Sequence, residues 1–211
     1  MQKNNKRNRI FYKKKKTYWT DTEKSDQRIF GSENISKLIF DYHNDKTLKA
    51  LGSNYIGVQI KNAFTMANKV KYNKNNKGSG GGWHKDSFTS QYKTILYLND
   101  AKFDNGAFEL ILDSHKLMSC LKISKKFNLN IFKTRFSNEE INLLTFKDNK
   151  IKTLYGKAGT LIIVDTSMIH RGRPLKKGFR YAITNYYYPY YNFKKYKNKF
   201  KPMIKYNYLN K

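Results

Sequence analysis

Residues 81–88 read GGWHKDSF. The chain has only 4 His among 211 residues. Here one of them stands two places before an aspartate, directly after Gly80, Gly81 and Gly82. Successive side chains of a β-strand point to opposite faces. His84 and Asp86 therefore share one side, and Lys85 takes the other. An imidazole and a carboxylate offered together make two adjacent corners of a coordination octahedron. A second histidine from a distant strand completes a facial triad of two histidines and one carboxylate, a donor set that suits Fe(II) and leaves three positions open.

Three other histidines compete for that third place. His43 lies in a helical pattern far from the strand set and reads as a surface or packing residue. His115 lies in LDSHK, in a turn at a strand end. His170 follows GTLIIVD (159–165), the most apolar strand candidate of the chain, in the stretch TSMIHRGRP. A lone histidine at a strand rim is commonly a satisfied polar residue, but paired with His84 and Asp86 it becomes the better third ligand. Arg180 comes ten residues later and opens RYAITNYYY (180–188). Its planar fork suits a carboxylate held at two points, with a structural salt bridge as the competing role. Arg171 and Arg173 lie nearer His170, in a Gly/Pro turn where exposure is expected.

Around this constellation the pattern is mostly that of strands. SENISKLIFDYHN (32–44) predicts a helix, with Ser32 as cap and Ile35, Leu38, Ile39 and Tyr42 on one face. NYIGVQI (54–60), FTMANKVKY (64–72), TILYL (94–98), AFELIL (107–112), GTLIIVD and RYAITNYYY predict strands separated by turn residues. NKNNKGSGGG (73–82) reads as a loop. Many short strands without long intervening helices indicate a mainly β, α+β chain built as a sandwich or jelly roll. Leu117 to Lys157 breaks the pattern. It reads as an insertion, a lid over the mouth of the barrel, and holds a short helix at SNEEINLL (137–144) whose Ser137 and Glu140 match a capping box.

The length suits one domain. A hydrophobic share of 39% with 17 Tyr and 14 Phe is enough for a packed core. No apolar run reaches the roughly 18 residues of a membrane span, and the N-terminus lacks the apolar stretch of a secretory signal. The single Cys120 removes a disulfide framework and a cysteine zinc site, which points to a reducing, intracellular setting. The net charge of +28 raises the question of nucleic acid. Two features weaken that reading. Lysine outnumbers arginine 36 to 7, although arginine is the usual reader of phosphates and guanine edges. Much of the charge also lies in residues 1–16 and 194–211, which hold eight and seven basic residues and no acid. The expected division is a basic tail over 1–30, one domain over 31–193 and a second basic tail over 194–211.

Taken in order, WHKDS (83–87), QYKTILYLND (91–100), NGAFELILDSHK (105–116), GTLIIVDTSMIHRGRP (159–174) and RYAITNYYYP (180–189) resemble the Fe(II)/2-oxoglutarate-dependent dioxygenases of the phytanoyl-CoA dioxygenase type. The resemblance implies a double-stranded β-helix, a cupin-like jelly roll with flanking helices and the metal at its open end. It implies His84, Asp86 and His170 as iron ligands and Arg180 as the partner of the distal carboxylate of 2-oxoglutarate. O2 would be the co-substrate and ascorbate an accessory reductant. Many members carry Ser or Thr two places after that arginine, where this chain has Ala182. Lys93 and Thr94, on opposite faces of their strand, are the candidates to replace it. The implied reaction is hydroxylation of a small or medium organic substrate, with an anionic one suited to the basic surface. Two other classes stay open: a nucleic-acid-oxidising dioxygenase, in which Tyr186 to Tyr188 would stack bases, and a non-catalytic basic jelly roll that binds polyanions.

Overall fold

The computed structural model describes residues 18–145 and 150–204. Nine strands form two antiparallel sheets. In chain order the strands are β1 (Trp19–Thr20), β2 (Asp26–Phe30), β3 (Ile60–Lys71), β4 (Tyr92–Tyr97), β5 (Phe108–Ile111), β6 (Ile151–Leu154), β7 (Leu161–Asp165), β8 (His170–Gly172) and β9 (Phe179–Pro189). The large sheet runs β1-β2-β3-β9-β4-β7 and the small one β6-β5-β8. Side chains from both fill the space between them: Ile95 and Tyr97 of β4, Phe108 and Leu110 of β5, Ile162 and Val164 of β7, and Ala182 of β9. This is the two-layer jelly roll that the alternating patterns predict.

Helices pack on the outer face of the large sheet. In α1 (Lys37–His43) no residue is buried, whereas α2 (Lys46–Ile56) buries Leu48 and Gly52. The helix expected over 32–44 is therefore corrected. Ser32–Asn34 form a separate 3-10 turn, in which the Ser32 hydroxyl bonds the Thr65 carbonyl instead of capping a helix. Leu38 is exposed, so the apolar spacing there does not mark a core face. The strand expected over 54–60 is also corrected. Asn54–Ile56 end α2, and Gly57 closes it in the left-handed conformation at φ 79°. The cap that organises this region is Asp45, whose carboxylate accepts from the Leu48 amide at 2.8 Å.

Elements on both sides of the expected 31–193 stretch take part in the fold. Residues 26–30, placed in the N-terminal tail, form β2 and pair with β3 from Asp26↔Val70 to Phe30↔Met66. Residues of the C-terminal stretch form α5 (Tyr190–Phe200), whose Phe193, Tyr196 and Phe200 pack against Phe64, Met66 and Tyr188. Lysine richness hid the aromatic stripe in that helix. The remaining parts of both expected tails, 1–17 and 205–211, lie outside the described residues. The insertion carries α3 (Leu117–Phe127) and α4 (Asn138–Thr145). At the start of α4 the capping box is present, with Ser137 N donating to Glu140 at 2.9 Å and Glu140 N to Ser137 Oγ at 3.2 Å. The insertion ends before Ile151, because β6 belongs to the small sheet.

Candidate metal centre and active site

His84 and His170 face each other across an antiparallel bridge. His84 N donates to His170 O at 2.9 Å, and His170 N to His84 O at 2.8 Å. Such a pair places the two side chains side by side, and the ring centroids are 4.3 Å apart. Asp86 N bonds Thr166 O at 3.0 Å, which keeps the 84–86 segment extended and turns Asp86 to the same side as His84. The Nε2 atoms of His84 and His170 lie 3.7 and 3.4 Å from the Asp86 carboxylate oxygens. One donor atom from each of the three residues falls within 4.8 Å of the others.

The second nitrogen of each ring is already committed. Nδ1 of His84 bonds the Gly82 carbonyl and Nδ1 of His170 the Met168 carbonyl, both at 2.9 Å. A carbonyl only accepts, so each ring carries a proton on Nδ1 and turns Nε2 towards Asp86. Outer hydrogen bonds of this kind orient imidazole ligands of metals. Burial, helped by the neighbouring His170, pushes the His84 imidazolium down to about 3, which keeps the ring neutral. The Asp86 side chain retains 27% of its surface. Burial alone would raise its pKa, but the Lys93 ammonium outweighs it and holds the carboxylate well below its ordinary range. Lys93 Nζ donates to Asp86 Oδ2 at 2.6 Å and sits 3.9 Å from the centre of the Tyr186 ring. Oδ1 accepts no hydrogen bond among the described residues and is the carboxylate oxygen left for a metal.

The glycine loop has a steric reason. Gly80 has φ +87°, and a Cβ there would lie 2.2 Å from the His84 ring. Only glycine allows the loop to pass so close to the imidazole. The turn before His170 is held by Asp165. Its Oδ1 accepts from Gln91 N, Ser167 N and Ser167 Oγ, and its Oδ2 from the Tyr55 hydroxyl at 2.8 Å.

Period-two alternation on β9 sends Arg180, Ala182, Thr184 and Tyr186 into one cavity with the three donors, of about 90 Å³. Arg180 is 4% exposed. Its Nη1 donates to the Gly106 carbonyl and its Nε has no partner. Among the described residues no carboxylate lies within ion-pair distance of it. A buried guanidinium without a counter-charge is costly, and an anion entering this end of the cavity would offset that cost. Lys93 lines the same cavity. Thr94 does not: its hydroxyl faces the helices and bonds Tyr42 at 2.8 Å. Of the two candidates to support Arg180, only Lys93 is in reach of the site. The aromatic under the guanidinium is Tyr97, 6.0 Å from it, with its hydroxyl bonded to Leu154 O.

Other expectations change. Arg171 and Arg173 are half-buried structural residues, both paired with the buried Glu109, and Arg171 Nε lies 2.8 Å from Glu109 Oε2. Tyr187 and Tyr188 are buried, the first against α2 and the second stacked on Tyr196 at 3.9 Å, so neither is free to stack on a base. His43 is a packing residue bonded to Thr65 Oγ1 at 2.9 Å. Lys85 points away from the cavity as expected, and its ammonium bonds Ser114 O at 2.8 Å and Cys120 Sγ at 3.1 Å, tying the 84–86 segment to the insertion. Arg28, from the stretch expected to be tail, was missed. It lines the inner cavity and also an outer vestibule of about 740 Å³, in which Trp19, Asp26 and Arg135 take part. The only signal for it was the alternation in DQRIF, with Asp26 and Arg28 two apart.

No protein-family model matches the chain, and no curated protein matches it in sequence. Solved structures do. HygX from Streptomyces hygroscopicus, with nickel and 2-oxoglutarate bound, matches at 13% identity and TM-score 0.56 over 89% of this chain and 78% of that one. The non-heme alpha ketoglutarate dependent epimerase SnoN from nogalamycin biosynthesis matches at 14% identity and TM-score 0.57 over 88% and 70%. EctD from S. alaskensis with bound Fe matches at 18% identity and TM-score 0.62 over 83% of this chain but 62% of that one. The chain thus shares the jelly-roll fold of these proteins. Among the described residues no helix is long and apolar enough to cross a membrane.

Proposed function

We propose that the chain is a non-haem Fe(II)/2-oxoglutarate-dependent oxygenase, with the phytanoyl-CoA dioxygenase type as its family. One observation carries the proposal. Two imidazoles, each with Nδ1 bonded to a backbone carbonyl, and one carboxylate oxygen converge in a cavity whose other end is a buried arginine, and among the described residues that oxygen accepts no hydrogen bond and that arginine has no counter-charge. The donor set fits a divalent ion, and the arginine fits the distal carboxylate of a keto acid. The structures of HygX with nickel and 2-oxoglutarate and of EctD with iron, on the same fold, support that pairing.

His84, Asp86 and His170 would hold the metal, and Arg180 would hold the co-substrate. Bound there, Fe(II) and 2-oxoglutarate supply oxidative decarboxylation to succinate and CO2, coupled to O2-dependent hydroxylation of a small organic substrate. The chain's own residues do the positioning. Gly82 and Met168 carbonyls fix the two rings. Lys93 occupies Oδ2 of Asp86, so the carboxylate offers one oxygen. Arg180 sets the direction of the keto acid along the cavity, and Phe108, 5.3 Å from the His170 ring, forms an apolar wall that keeps water from that imidazole. The insertion would act as a lid, since Lys85 couples it to the ligand strand.

Succinate release tests the proposal. With Fe(II), O2 and a panel of small organic acids and polyols, the protein should convert 2-oxoglutarate to succinate, and His170→Ala should not. If succinate stays at the background of the variant with every compound, at saturating iron and 2-oxoglutarate, the proposal fails.

A further inference from the structure

Arg28 stands where the inner cavity opens into the vestibule. Both spaces are lined by it, together with Gly80, His84 and Asp86. Its place follows from register: Trp19 pairs with Arg28 across β1–β2, Arg28 with Asn68 across β2–β3, and Asn68 with Ala182 across β3–β9. Arg28 therefore shares a row of the sheet with Ala182.

The side chain is fixed on two sides. Nε and Nη2 lie 3.1 and 2.5 Å from Asp26 Oδ2, and the guanidinium carbon lies 4.9 Å from the centre of the Trp19 ring. The contact with Asp26 uses Nε–H and one N–H of Nη2. Nη1 has no hydrogen-bond partner among the described residues. The end of the guanidinium thus keeps three N–H donors, a second fork of the shape that binds an oxyanion at two points. Holding an arginine rigid before its ligand arrives lowers the entropy lost on binding.

Charge points the same way. Three cations line the inner cavity, Arg28, Lys93 and Arg180, against the single carboxylate of Asp86. Asp26 offsets Arg28 in part. A divalent metal on the triad and doubly charged 2-oxoglutarate on Arg180 would leave one positive charge over at the junction.

We propose that Arg28 anchors an oxyanion of the primary substrate, a carboxylate or a phosphate ester, as that substrate enters through the vestibule. The proposal rests on the oxygenase reading and on Arg180 as the site of 2-oxoglutarate. It makes the substrate a small acid whose reacting carbon lies between Arg28 and the triad.

The test uses the full chain loaded with Co(II) and saturated with 2-oxoglutarate, with the visible Co(II) spectrum reporting arrival of the keto acid. Trifluoroacetate and monofluorophosphate then serve as probes by 19F relaxation, and zinc-loaded protein supplies the diamagnetic reference for the many surface lysines. Paramagnetic relaxation should saturate in the wild type. It should require about tenfold or more probe in Arg28→Gln, the loss of a charge-assisted contact, and much less extra in Arg28→Lys. The double variant Asp26→Asn/Arg28→Gln leaves no unpaired carboxylate and should behave as Arg28→Gln, which separates the effect from misfolding. The probe with the larger response identifies the anion as carboxylate or phosphate. Equal relaxation in wild type, Arg28→Gln and the double variant overturns the proposal, as does a fall in 2-oxoglutarate affinity in Arg28→Gln as large as in Arg180→Met. A Co(II) spectrum indifferent to 2-oxoglutarate removes the oxygenase reading itself, and this inference with it.

Discussion

Arg180→Met separates a ligand-binding arginine from a structural one, because the two roles predict opposite behaviour. Arg180 is 4% exposed, donates to the Gly106 carbonyl, leaves Nε unpartnered and has no carboxylate at ion-pair distance among the described residues. Enclosing a guanidinium this far costs several kcal/mol. The bond to Gly106 offsets about 1.5–3 kcal/mol of that. Methionine fills similar volume without the charge, and its main penalty is the Gly106 carbonyl left without a donor, about 1–3 kcal/mol. These opposing effects nearly cancel, so the unloaded variant should melt within about 4 °C of the wild type. The 2-oxoglutarate carboxylate, by contrast, loses a charge-assisted fork worth about 3 kcal/mol, which is on the order of 100-fold in affinity. Calorimetric titration of 2-oxoglutarate into nickel-loaded protein measures the second effect, and a thermal melt of the unloaded protein measures the first. Affinity within about twofold of wild type, or a melting temperature lower by about 10 °C with binding intact, would refute the assignment.

Three further outcomes follow from particular contacts. Gly80→Ala puts a methyl group 2.2 Å from the His84 ring at a positive φ, so nickel affinity should fall at least about tenfold by calorimetry; unchanged affinity would show that the loop yields freely. Glu109→Gln leaves Arg171 and Arg173 facing a neutral group in a buried position, and a loss of about 2 kcal/mol should lower the melting temperature by about 4–8 °C, with no change marking the pair as dispensable. Burial, with Lys197 adding to it, pushes the His43 imidazolium down to about 4. The unfolded chain therefore binds the proton more readily, and this stability is full above about 6.5 and lost as pH falls towards 4. Denaturant melts of wild type and His43→Gln should diverge less at pH 4.5 than at pH 7.5, and a constant difference would count against it.

The strands were legible because their alternation is strong. FTMANKVKY, TILYL, AFELIL and RYAITNYYY each overlap an observed strand, and the capping box at Ser137 is present. What failed did so for physical reasons. The 32–44 pattern has helical spacing, but its apolar face is left partly exposed, while the helix that carries Leu48 against the sheet begins only at Asp45. The strand expected at 54–60 missed that Gly57 ends a helix. The lysine content masked the amphipathic order of α5, and β2, which holds no lysine, was taken into the tail by the basic run that precedes it. The convergence of the three side chains was readable because His-x-Asp on an extended segment needs only local geometry, and His170 was reached through the apolar strand before it. Arg28 was not readable, since its place in the cavity depends on β2 pairing with β3, a contact between residues far apart in sequence. The same holds for Glu109, which makes Arg171 and Arg173 structural although their turn sequence suggests exposure.

The central claim is that His84, Asp86 and His170 hold a metal to which 2-oxoglutarate binds. Anaerobic addition of Fe(II) and 2-oxoglutarate to the purified protein tests it, with the visible charge-transfer band of the iron–keto acid chelate as readout. The account predicts the band in wild type and its loss in His84→Ala and Asp86→Ala, with all three proteins folded by circular dichroism. No band in the folded wild type at saturating iron and 2-oxoglutarate, or a full band in either variant, would contradict it.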